Sequence, residues 1–102
     1  MPISFSLHSA LLVDETRQRI LHAQEKYGDI LSYFWISKVG NAEQYNIEDD
    51  AEFGFHPRSC FIVQWNKDRP ELIQLIPRIF YELFGKENIL IRNDDYDVVP
   101  PV

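Results

Sequence analysis

With only one cysteine, Cys60, among 102 residues, no intrachain disulfide and no all-cysteine metal site can form. That scarcity suits a reducing compartment and sets the expectation of a soluble, cytoplasmic protein. The four glycines, Gly28, Gly40, Gly54 and Gly85, are all isolated, so there is no glycine-rich loop to cradle a phosphate. No apolar run approaches the roughly 20 residues of a membrane span. Residues 1–8 alternate in polarity without a cationic start, unlike a secretory signal. The three histidines, His8, His22 and His56, lie too far apart for the short spacings of a zinc site. Asn93, Asp95 and Asp97 match the first three alternate positions of a calcium loop, but Val98 stands where that loop needs glycine. Neither a metal nor a cofactor is expected.

Bases are missing from two stretches, and this absence is the most informative one. Between Lys38 and Arg58 there are five acids (Glu43, Glu48, Asp49, Asp50 and Glu52), and after Arg92 three more (Asp94, Asp95 and Asp97). These stretches carry −8, while the rest of the chain, with eight acids and ten bases, carries +2. The net charge of −6 is therefore concentrated in two blocks. Such blocks repel phosphate backbones and attract cationic partners, which argues against nucleic acid as a ligand.

What is present reads as one globular domain over residues 1–102, since 45% apolar and 25% charged residues are ordinary globular values. Ile3, Phe5 and Leu7 alternate with Ser4, Ser6 and His8, the period of a half-buried strand. Val13, Thr16, Ile20, Ala23 and Tyr27 line one face of a helix over about residues 14–27, with Gly28 as its left-handed stop. Residues 31–39, rich in aromatic and β-branched side chains, predict a second strand, and residues 59–66 a third. Residues 41–57 lack clean periodicity and predict either a loop or a short fifth strand at 52–56. A second helix starts near residues 67–70 and carries a wide apolar stripe from Leu72 to Phe84. Pro77 inside that stripe predicts a kink or break near residues 73–74. Residues 88–92 form a last strand, and residues 94–102 an acidic irregular tail. The implied class is α+β: a two-layer sandwich with two helices on one face of a four- or five-stranded, mainly antiparallel sheet. The order would be the ferredoxin-like β-α-β-β-α-β.

No arrangement of residues carries a catalytic motif. His56 lies four residues from Cys60, and a base beside a thiol can make a nucleophile, but Cys60 opens an apolar strand and reads as a small core residue. The acidic stretches offer more, because aromatics interleave with the acids. Tyr45, Phe53 and Phe55 stand among Glu43, Glu48, Asp49, Asp50 and Glu52, and Tyr96 stands among Asp94, Asp95 and Asp97. Rings contribute buried area to protein interfaces, and charges steer the encounter. The leading expectation is a non-enzymatic module that docks a basic protein through these twelve residues. In its most concrete form it is an immunity or inhibitor-type protein that stands in for phosphates in the cleft of a toxin or nuclease. A second reading uses the helix-free sheet face as a ligand or enzyme site, with Ser4, Ser6, His8, Tyr33 and Gln64 as polar lining and Trp35, Ser37 and Ile62 beside them. A third reading pairs two copies into a homodimer through sheet surface or edge strands.

Overall fold

Alternation in two strands decides where the core lies. In the computed structural model, which describes residues 3–66 and 68–101, β1 (Ser4–Ser9) pairs antiparallel with β4 (Ser59–Trp65). Their register sets Phe5 against Val63 and Leu7 against Phe61, so all four side chains point to one face and are buried. Ser4, Ser6 and His8, opposite Gln64, Ile62 and Cys60, point to the other. On the far side of β4 lie β2 (Phe34–Ile36) and β3 (Gly40–Asn41), while β5 (Ile89–Arg92) and β6 (Val98–Val99) continue the sheet beyond β1. All pairings are antiparallel, and the longer path runs β2-β4-β1-β5-β6.

Helix α1 (Val13–Leu31) and helix α3 (Leu75–Phe84) pack against the apolar face. Phe61, Phe80 and Phe84 meet there with ring centroids 5.6–6.2 Å apart. The apolar stripe at 72–84 is interrupted where Pro77 demands it. A 3-10 turn (Pro70–Leu72) precedes α3, and Pro77 falls in the first turn of α3, where its missing N–H leaves no bond unmade. A relay of hydroxyls fastens the start of α1 to the sheet. Ser9 donates to Thr16, Thr16 to Ser59 and Ser59 to the Leu11 carbonyl, over 2.7–2.8 Å.

Several expectations need correction. Among the described residues the sheet has six strands rather than four or five, and a third helix, α2 (Gln44–Ala51), lies where a loop or fifth strand was expected. Residues 52–56 form a turn and an irregular segment, and the chain order departs from β-α-β-β-α-β by the addition of β3, α2 and β6. Gly28 does not stop α1; only Tyr27 leaves helical geometry (φ −123°, ψ 30°), and the helix resumes to Leu31 because Ile30 and Leu31 still find core contacts. The strand expected over 31–39 shrinks to three residues. Residues 94–102 are not simply a tail, since Val98 and Val99 pair with Arg92 and Ile91. Met1, Pro2, Lys67 and Val102, on which parts of the N-terminal, helix-start and tail readings fell, lie outside the described residues.

Candidate functional site

Helix α2 brings the first acidic stretch onto the sheet face that α1 and α3 leave free. The Asn46 Oδ1 accepts the Glu43 N–H at 3.0 Å and caps the helix start. Asn46 and Asp50, four residues apart, share the inward face and are buried, whereas Tyr45, Glu48 and Asp49 face outward. Beyond the helix, Gly54 takes a left-handed φ of 69°, and the Phe55 N–H returns to the Asp50 carbonyl at 3.2 Å.

Asp50, fully buried, is the anchor. Its Oδ1 accepts from the Nε and Nη2 of Arg92 at 3.2 and 2.9 Å, and its Oδ2 accepts from the Nδ1 of His8 at 2.5 Å. The Nε2 of His8 in turn is hydrogen-bonded to the Ser6 hydroxyl at 3.2 Å. Arg92 also donates to the carbonyls of Tyr96 and Asp49, and its guanidinium lies against the rings of Tyr96 (4.2 Å) and Phe53 (5.5 Å). Leu90, on the same side of β5 as Arg92, is buried although it does not belong to the main core cluster; α2 covers this end of the face.

The second acidic stretch forms the turn between β5 and β6. Asn93 Oδ1 accepts the N–H groups of Asp95 and Asp97 and so holds the turn. Tyr96 adopts a left-handed φ of 64°, uncommon outside glycine, which sets its ring over Arg92. Its hydroxyl donates to Asp49 Oδ2 at 3.0 Å, so the two acidic stretches touch. Burial, and then the hydrogen bond to Asp49, push the Tyr96 phenol above its ordinary pKa and keep it a donor. Glu48, Asp49, Glu52, Arg92 and Tyr96 surround a shallow cleft of about 300 Å³.

Of the twelve residues singled out for partner binding, Glu43, Tyr45, Glu48, Asp49, Glu52 and Phe53 are exposed on α2 and its ends, and Asp94, Asp95, Tyr96 and Asp97 are exposed in the adjoining turn. Among the described residues, none of the exposed carboxylates at 43, 48, 49, 52, 94, 95 and 97 forms an ion pair. Phe55 is half-buried. Asp50 is the correction: it is an interior counter-ion, and no partner can reach it. Its role and that of Arg92 escaped sequence reasoning, although one signal was available. Alternation along β5 puts Arg92 on the face of Ser6 and His8, where a charge at the end of an apolar strand needs a partner.

The alternative lining residues are each engaged in a different way. Ser4 is bound through its N–H and hydroxyl to Asp94 Oδ1 at 2.6 and 3.3 Å. Tyr33 sits in the connection from α1 to β2, packs against the core and carries the Arg69 guanidinium over its ring. Ser4, Ser6, Tyr33 and Gln64 are all partly open, and His8 alone of the five is buried. The run Ser6–His8–Asp50 has the order of a nucleophile, base and acid. However, His8 and Asp50 have no exposed surface, and Asp50 is held by Arg92, so no reacting atom can approach the base.

Cys60 donates its thiol to the Asn41 carbonyl, with Sγ 3.8 Å from the oxygen. Burial, and then the charge of Glu43, push its pKa up, the opposite of an activated nucleophile. Its alkylation by iodoacetamide is therefore expected to be slower than that of free cysteine at neutral pH, with the midpoint of the rate–pH profile displaced upward. A midpoint below that of free cysteine would contradict this environment.

Comparison with known proteins adds two findings. The family model described as CDI System Immunity Component matches residues 1–96. Among solved structures, the chain is similar to one from the CdiA-CT/CdiI toxin and immunity complex from Burkholderia pseudomallei, with a TM-score of 0.85. The two share 23% identity over 94% of this chain and 95% of that one, a likeness of fold. No curated protein matches the sequence.

Proposed function

The chain belongs to the family of CDI system immunity components, and from that premise we propose that it disarms its toxin through the acidic face built by α2 and the β5–β6 turn. As a member of that family it is a non-enzymatic inhibitor that neutralises a toxin. The toxin surface it covers is cationic, and the most concrete candidate is the cleft in which a nuclease holds its phosphates. Glu43, Glu48, Asp49 and Glu52 with Asp94, Asp95 and Asp97 provide the field, and Tyr45, Phe53 and Tyr96 the contact area.

The observation that carries this reading is the contact of two acidic stretches, 47 residues apart at Asp49 and Tyr96, on one side of the molecule. Their exposed carboxylates have no internal counter-ions among the described residues. The burial of Asp50 under the same surface supports the reading further, because it fixes α2 before any partner arrives and so lowers the ordering cost of association.

The test is the association rate with the cognate toxin domain as a function of salt. The rate is expected to fall more than tenfold between about 20 mM and 500 mM NaCl. A rate indifferent to salt would exclude electrostatic docking. The reading also places the protein in the cytoplasm, in keeping with its single free thiol; no helix among the described residues is long and apolar enough to cross a membrane. Pairing of two copies would use the sheet surface or the short outer edges of β2, β3 and β6, of three, two and two residues. We read the sheet as a ferredoxin-like core of β1, β2, β4 and β5, supported by the neighbour order β2-β4-β1-β5, with β3, α2 and β6 as additions.

A further inference from the structure

Helix α2 covers only one half of the helix-free sheet face. The covered half holds His8 and Leu90. The other half, from Ser6 to Ile62 and from Ser4 through Gln64 to Trp35, runs across neighbouring strands without a covering element among the described residues. On it Trp35 is 52% exposed and Ile62 43% exposed. The parity of β2 explains Trp35: Phe34 is buried in the core, so Trp35 points the opposite way.

The distribution of exposed apolar side chains is lopsided. Among the described residues seven large ones are exposed, and only Leu12 and Leu21 of these belong to α1 and its approach. The other five, Trp35, Tyr45, Phe53, Ile62 and Tyr96, lie on the side of the sheet that bears α2 and the acidic turn. The two halves are continuous. Arg92, beneath Tyr96 and Phe53, pairs with Ser6, which pairs with Ile62. Asp94 is bound to Ser4, two strand spacings, or about 10 Å, from Trp35.

We propose that the toxin contact runs from the acidic helix across the open half of the sheet to Trp35, with Trp35 and Ile62 as its apolar anchors. This inference rests on the reading of the acidic face and names the rest of the surface that the same cationic partner covers. The chemistry is complementary. A basic protein presents arginines and lysines whose apolar stems lie on an indole or isoleucine while their charges reach the carboxylates at the rim. Large apolar side chains that lose their water on contact are the few from which most of the binding energy of an interface comes.

The experiment compares the full chain and its variants against the cognate toxin domain by calorimetric titration, with thermal unfolding as a check on the fold. Trp35→Ala and Ile62→Ser, on different strands, are each expected to weaken binding about tenfold or more while the unfolding midpoint stays near that of the parent. Leu21→Ala, on α1, is expected to bind as the parent does. Should both sheet variants keep parental affinity while reversal of Glu48, Asp49 and Glu52 weakens it, the contact ends at the acids. The extension is then wrong and the acidic face stands. Should the charge reversal also leave binding unchanged, the acidic face falls as well. A loss at Leu21 with none at Trp35 would move the contact to the helical side and overturn the proposal.

Discussion

Asp50→Ala is expected to destabilise the fold by about 3–5 kcal/mol, as breaking a buried ion pair from one side does. A domain of this size has roughly 5–15 kcal/mol of stability in total, so the loss is a large share of it. The cause is the group left behind. The Arg92 side chain is only 6% exposed and donates twice to Asp50, and without that carboxylate its charge is buried with two carbonyls and two rings for company. The Nδ1–H of His8 loses its acceptor as well. Urea denaturation measures the effect. The double variant Asp50→Ala with Arg92→Met is expected to be less destabilised than the sum of the two single changes, because no buried charge is orphaned. A loss below about 1 kcal/mol for Asp50→Ala would mean that water reaches Arg92 readily, and that α2 is not the fixed platform its side-chain contacts describe.

Reversing Glu48, Asp49 and Glu52 together to lysine is expected to weaken toxin binding at least about a hundredfold, chiefly through slower association. These substitutions cancel the net charge of −6 at its densest point. They are also expected to leave the fold intact or slightly more stable. Glu48 and Asp49 lie in the last turn of α2 and Glu52 caps it, at the negative end of the helix dipole, where lysine is favoured over a carboxylate by a few tenths of a kcal/mol. The lost hydrogen bond from Tyr96 to Asp49 is exposed and offsets part of that gain. Acids held at the wrong end of a helix against local preference are what a recognition surface, as opposed to a structural one, leads one to expect. Asp50 must be left out of such a variant. The sequence alone makes it the natural fourth member of the cluster, yet its reversal would place a lysine against Arg92 in the interior. Surface plasmon resonance and thermal unfolding together test the prediction. Intact folding with unchanged affinity would send the toxin elsewhere on the molecule.

Local pattern accounts for what could be read in advance. Period-two alternation identified β1 and its polar face, the run at 59–65 identified β4, and the placement of proline announced the break before α3. Helix α2 left no such trace. Eight residues are too few to be helical on their own in water, and its two inward positions are polar, Asn46 and Asp50, so no apolar period marks it. The strands β3 and β6, two residues each, exist only because β4 and β5 offer them partners.

From the sequence alone came the α+β class, the apolar faces of its longer strands and helices, and the confinement of negative charge to two stretches. Each of these depends on neighbours a few residues apart. Only the tertiary structure decided that the two stretches meet, that Asp50 turns inward while the acids beside it stay in water, and that Trp35 remains uncovered. The reason is that Asp50 and its two partners are each 42 residues apart in the chain. Whether a carboxylate faces water or a guanidinium depends on which strand folding sets beneath it.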